Sequence, residues 1–236
     1  MKQVTITEVR AYVMSPDEMG ADYHNQTGSH WIIDLPIANP MSVYEEYKAK
    51  RTSWGINALG TVLVEVELTD GTVGIGCSIG GEPACYIIEK HLSRFVEGQD
   101  PRNVELIWDQ MWRATLPYGR KGLAVQAISA VDLAIWDCLG KLRGEPVYAL
   151  LGGETKNKLA VYATTSRPDI ASEWGFHGAN IPCRYGPADG DEGLKRNIAV
   201  MAEARQQVGP DFPHRLDCYM ALTVPYAIKL AKALAD

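Results

Sequence analysis

The stretch Ala127-Ile128-Ser129-Ala130-Val131-Asp132-Leu133-Ala134-Ile135-Trp136-Asp137, followed by Gly140-Lys141 and Pro146-Val147-Tyr148-Ala149-Leu150-Leu151-Gly152-Gly153, decides how the chain is read. Val125, Ile128, Val131 and Ile135 recur every three or four residues. That spacing predicts one helix from about Leu123 to Lys141 with this stripe turned inward. From Gly152 onward the rhythm changes.

Upstream, Val4 to Val13 alternates like a strand rich in Val, Ile and Tyr. Thr61 to Leu68 and Thr72 to Ile79 read as two strands joined at Asp70-Gly71. Gly74-Ile75-Gly76 lies inside the second strand, not between a strand and a helix, so it is not a dinucleotide fingerprint. Ile87, Ile88, His91, Leu92 and Phe95 share a helical face that ends at Gly98, and Val104, Ile107 and Met111 mark another helix. Between the first two strands, Ser15 to Asn57 shows little periodicity, and connections this long usually form lids or binding loops.

Downstream, Ala160 to Thr164, Ala179 to Tyr185 and Arg215 to Tyr219 read as short strands. Helices follow from Asp191 to Val208, where Asp191 favours the positive N-terminal end, and from Thr223 and Pro225 onward. Repeated strand-then-helix units imply a parallel sheet or barrel. The predicted fold class is an α+β domain over residues 1–150, followed from 151 to 236 by the first βα units of a TIM-type barrel. About 80 residues cannot close a barrel that takes roughly 250, so either the chain is truncated or the sheet is something smaller.

Composition narrows the function. The 236 residues are 46% hydrophobic and 22% charged, with a net charge of −6 and no basic stripe, which argues against a nucleic-acid partner. Met1-Lys2 opens on polar alternation, so no signal peptide is expected, and no apolar run approaches the roughly 20 residues of a membrane helix. The five cysteines form an odd set with no CxxC pair, which predicts buried, reduced thiols in a cytoplasmic protein.

The Ala127 to Gly153 segments resemble the capping-domain helix and barrel entry of the enolase superfamily, in its mandelate racemase/muconate lactonizing enzyme branch. Within that branch the chain is similar to the L-rhamnonate dehydratases. The similarity lies in Asp22-Tyr23-His24-Asn25-Gln26, Gly55-Ile56-Asn57-Ala58-Leu59-Gly60-Thr61, Gly80-Gly81-Glu82, Glu89-Lys90-His91-Leu92 and Gly186-Pro187-Ala188-Asp189-Gly190-Asp191. The resemblance implies a Mg²⁺-assisted lyase that removes the proton α to a sugar-acid carboxylate and eliminates water, giving a 2-keto-3-deoxy acid. It also implies a homo-oligomer.

On the residues alone, Asp217 at a strand end is either a hard-cation ligand or a capping acid. The resemblance implies the ligand. His24 and Arg51 lie in the irregular segment, where charges are usually solvated. The resemblance places them in a substrate-binding flap, Arg51 gripping a carboxylate and His24 a hydroxyl or carboxylate. His30 and Trp54 are weaker neighbours. The family's two further carboxylates and its acid/base histidine are expected beyond Asp236.

One position departs from the family. Asn180-Ile181-Pro182 stands where related dehydratases carry a lysine, and asparagine cannot abstract a proton. Arg184 reads as a contact to a distal hydroxyl or as a surface ion pair. Asp132 and Asp137 read as structural hydrogen-bond partners, His91 as a satisfied core histidine, and His177 and His214 as strand-entrance residues. Three functions stay open: an L-rhamnonate dehydratase, a relative acting on another acid sugar such as L-lyxonate, or a truncated, non-catalytic binding or assembly module.

Overall fold

The computed structural model describes residues 4–14, 37–48 and 59–235. They separate into two compact units, 4–14 with 59–157 and 37–48 with 158–235.

The first unit holds an antiparallel sheet of β1 (Ile6–Met14), β2 (Thr61–Leu68) and β3 (Val73–Ile79), in that order. In β2 strict alternation buries Val62, Val64, Val66 and Leu68, each contributing about 1.5–3 kcal/mol of burial. The alternation expected from Val4 to Val13 does not persist. The pairing steps from Ile6↔Leu68 to Glu8↔Glu67, so β1 carries one extra residue, and the buried positions become Ile6 and Val9.

The helix predicted over Ile87–Phe95 is compound: α1 (Gly81–Ile87), a π turn (Ile88–Leu92) and α2 (Ser93–Val96). Its buried residues are Ala84, Ile88, Leu92 and Val96, at four-residue spacing. An α-helix would carry such a stripe round by about 40° per step. The wider π turn unwinds that drift and keeps the stripe on the sheet.

After α3 (Val104–Thr115) comes α4 (Leu123–Arg143), then the short α5 (Val147–Leu150). Val125 is only half-buried, and the core face instead includes Ala124, Ala127, Ile128, Val131, Ile135 and Cys138, with Ala130 and Ala134 buried beside them. The shift follows from how closely α4 lies on β3. A Cβ at Gly74 would stand 2.1 Å from the Ala134 carbonyl oxygen, and one at Gly76 2.0 Å from that of Ala130. The Gly74-Ile75-Gly76 run thus serves helix–sheet contact. The helix runs two residues past the predicted end and stops at Gly144, a left-handed cap with φ 65°.

Helix α4 is long and apolar enough by composition to cross a membrane, contrary to the reading of the sequence. Its buried residues pack in the core with Val64, Val66 and Ile107, so its apolarity is that of a core helix.

The same helix finishes the free edge of the sheet. Asp137 Oδ2 accepts the Ile75 N–H at 2.7 Å, and Lys141 Nζ donates to the Val73 carbonyl at 2.7 Å. Asp137 and Lys141 pair with each other at 2.7 Å, so one i,i+4 pair covers a donor and an acceptor of the edge.

In the second unit β4 (Tyr162–Thr164), β5 (Gly178–Pro182) and β6 (His214–Asp217) form a parallel sheet in that order. Helices α6 (Pro168–Glu173), α7 (Gly190–Val208) and α8 (Val224–Ala235) follow the three strands in turn. This is the opening of a (β/α) barrel. Its core is built from small side chains, Ala163, Ala171, Ala179 and Ala204, with Ile181 and Met201. Asp191 lies in the first turn of α7 and pairs with Lys229 of α8 at 3.0 Å.

Strand β6 stops two residues earlier than predicted. Tyr219 and Met220 have φ of 43° and 59°, and the Ala221 N–H closes onto the Cys218 carbonyl at 2.8 Å. A tight turn replaces the strand, with two non-glycine residues in the left-handed region.

Candidate functional site

Alternation divides the second unit's sheet into two faces. Ala163, Ala179, Ile181 and Leu216 pack with the helices. Tyr162, Thr164, Asn180, Arg215 and Asp217 occupy the alternate positions, which in a barrel point inward. Gly178 stands opposite Tyr162 in the ladder. With no side chain there, the Arg215 guanidinium lies over the Tyr162 ring, 4.6 Å from its centroid.

Asp217 ends β6, opposite Pro182 at the end of β5. Its Oδ2 accepts the Asn180 amide at 3.1 Å, and its Oδ1 accepts the Tyr219 N–H at 3.2 Å. One hydrogen bond per oxygen fixes the carboxylate plane and leaves further lone pairs open. Where the sequence suggested a missing lysine, the structure therefore places a donor that orients the neighbouring acid.

A hard cation would find one carboxylate here. Among the described residues no group of three His, Cys, Asp or Glu side chains converges, so Asp217 stands there as a single carboxylate.

Residues 37–48 join this end of the sheet. The Ala38 N–H donates to the Cys183 carbonyl at 2.9 Å, just past β5. Asn39 caps the 3₁₀ turn Pro40–Val43: its Oδ1 accepts the Met41 N–H, and the Ser42 hydroxyl accepts the Asn39 N–H at 3.0 Å. Lys48 bridges Glu45 at 2.7 Å and Asp189 at 3.4 Å. Asp189 in turn accepts the Gly186 N–H at 2.8 Å. His24, Arg51, His30 and Trp54 lie outside the described residues.

Beneath the strand ends sits a polar cluster that sequence reasoning missed. Asn197, buried on α7, exchanges hydrogen bonds with the Tyr185 backbone and donates to the Tyr226 hydroxyl at 3.3 Å. The Cys183 thiol donates to the Tyr185 carbonyl at 3.3 Å, and the neighbouring Cys218 thiol together with burial pushes Cys183 up. A lone asparagine in the middle of a helix was the available signal for this cluster.

Arg184 lines a cleft with Ser166, Arg167, Ile181 and Glu203, and its Nε is buried there without a hydrogen bond. His91 meets the Tyr118 hydroxyl through Nδ1 at 2.7 Å and the Phe95 ring edge-on, a satisfied packing histidine. His177 immediately precedes β5 and His214 opens β6, as strand-entrance residues.

Comparison with known proteins places this geometry. Residues 48–152 match the family described as mandelate racemase / muconate lactonizing enzyme, N-terminal domain. A protein of Saccharopolyspora erythraea named L-rhamnonate dehydratase is 57% identical over 231 residues, covering 98% of this chain and 58% of its own length. The chain thus spans little more than half of that relative. A Gibberella zeae rhamnonate dehydratase structure, solved with Mg, superposes with a TM-score of 0.92 at 48% identity, covering 100% of this chain and 58% of that one. A Streptomyces coelicolor A3(2) racemase with bound magnesium gives 0.64 at 31% identity, covering 74% and 55%. The α+β unit and the barrel opening agree with these matches: residues 48–152 match the mandelate racemase / muconate lactonizing enzyme N-terminal domain, and the chain is similar along nearly its whole length to proteins named L-rhamnonate dehydratase.

Proposed function

We propose that this chain is the capping and barrel-entry part of a Mg²⁺-dependent acid-sugar dehydratase that converts L-rhamnonate to its 2-keto-3-deoxy acid. The supporting observation is the 57% identity to an L-rhamnonate dehydratase across 98% of the chain, together with a carboxylate, Asp217, held at the C-terminal end of a barrel strand. In this reading residues 1–150 cap the barrel that begins at 151, and the protein works as a homo-oligomer.

Asp217 is proposed as one metal ligand. Mg²⁺, when bound, stabilises the charge that develops as the α-proton leaves. Arg51 grips the substrate carboxylate through its planar fork, and His24 binds a hydroxyl or carboxylate.

The test is formation of a 2-keto acid from L-rhamnonate with Mg²⁺, alongside L-lyxonate. Arg51→Ala should lower turnover at least tenfold, about 1.4 kcal/mol of transition-state binding. Unchanged kinetics would remove Arg51 from the site, and faster turnover of L-lyxonate would reassign the substrate.

The second reading is a truncated, non-catalytic binding or assembly module. Intact-mass measurement of the purified protein beside the assay separates the two. A mass near 26.0 kDa with no product supports the module.

A further inference from the structure

Strands β5 and β6 each end on a cysteine. Cys183 follows Pro182 and Cys218 follows Asp217, the last paired residues of the two strands, so the cysteines stand side by side one step past the ladder. The Cys183 N–H donates to the Asp217 carbonyl at 2.7 Å, which keeps the backbones in register there. The Cys183 thiol donates to the Tyr185 carbonyl at 3.3 Å and the Cys218 thiol to the Leu216 carbonyl at 3.7 Å. Neighbouring strands run about 4.8 Å apart, within the Cα separation that a disulfide spans.

The two cysteines differ in access. Cys183 is fully buried, whereas Cys218 is half-buried and adjoins the left-handed turn through Tyr219 and Met220. An oxidant therefore meets Cys218 first.

We propose that Cys183 and Cys218 are a peroxide-responsive dithiol whose closure to a disulfide rearranges the turn that holds Asp217. Cys218 sulfur attacks one peroxide oxygen, and the O–O bond breaks. This leaves a sulfenic acid and, with the thiol proton, one water. Cys183 sulfur then attacks the sulfenic sulfur, the S–O bond breaks and a second water leaves. Two thiols lose two electrons and hydrogen peroxide gains them. The new bond draws Cys218 toward β5 and pulls on the strained turn. That turn supplies the Tyr219 N–H to Asp217 Oδ1.

The test treats the protein with stoichiometric hydrogen peroxide, alkylates the remaining thiols and maps peptides by mass spectrometry. A Cys183–Cys218 crosslink lacking two hydrogens and reversed by dithiothreitol is expected, and Cys218→Ser should abolish it. Hydrogen exchange over residues 214–222 should quicken roughly tenfold on oxidation. Cys218 recovered as sulfinic acid beside a free Cys183, a crosslink to another cysteine, no oxidation at all, or exchange unchanged after crosslinking would each overturn the proposal. Cys183→Ser offers a second control if Cys218→Ser fails to fold. Neither readout uses turnover or metal, so failure here is separate from failure of the dehydratase reading.

Discussion

The side-chain amide of Asn180 donates to Asp217 Oδ2 across 3.1 Å, tying the middle of β5 to the end of β6. An uncharged donor leaves the carboxylate its negative charge and holds it in one orientation, which suits a metal ligand. Asn180→Ala should therefore weaken Mg²⁺ binding roughly tenfold, read by calorimetric titration. Asp217→Asn should weaken it further. Equal affinity in both variants would make Asp217 a strand-end cap and nothing more.

Gly76 lies where α4 presses on β3. Gly76→Ala would set a Cβ 2.0 Å from the Ala130 carbonyl oxygen and force helix and strand apart. A loss of about 1–3 kcal/mol is expected from urea unfolding. At Gly71 nothing lies within 4 Å, so Gly71→Ala should cost only about 1 kcal/mol, from its φ of 85°. Similar losses at both sites would show that crowding is not what fixes Gly76.

Asp137 and Lys141 cover the open edge of β3. Asp137→Ala removes the acceptor of the Ile75 N–H and should cost about 1–2 kcal/mol. The Ile75 amide should also exchange with solvent faster than its neighbours in β2. An unchanged exchange rate would mean that water already serves this edge.

Burial pushes the Asp132 carboxyl up to about 6, and Glu105 adds like charge. The folded state then holds this proton more tightly than the unfolded chain, whose carboxyl titrates near 3.8. Stability contributed by the protonated form is lost as pH rises from about 4 to 6. Asp132→Asn should flatten that part of the profile and raise stability at pH 7 by about 1–3 kcal/mol. A parallel profile in the variant would show that Asp132 is not the group responsible.

Much of the fold was legible because β2, α3 and α4 carry apolar residues at the period of their own element. The misses have local causes. The bulge after Ile6 breaks the alternation of β1, and the π turn at Ile88–Leu92 adapts a helix to a stripe spaced by four. The left-handed pair Tyr219-Met220 ends β6 although neither residue is a turn former. In each case tertiary packing overrode a local preference worth only a few kcal/mol.

Periodicity, turn residues and family motifs in the sequence by themselves determined an α+β unit followed by βα units, the enolase-superfamily resemblance, and Asp217 as the acid to watch. Those signals are local: they record which side of an element is apolar and which short segments match. Only the tertiary structure decided that Asn180 orients Asp217, that Asp137 and Lys141 close a sheet edge, and that Cys183 meets Cys218. These partners lie 37, 62, 68 and 35 positions apart, counting Asn180 to Asp217, Ile75 to Asp137, Val73 to Lys141 and Cys183 to Cys218. Contacts that distant depend on strand register and on how closely a helix approaches a glycine-bearing strand, and no spacing along the chain encodes either.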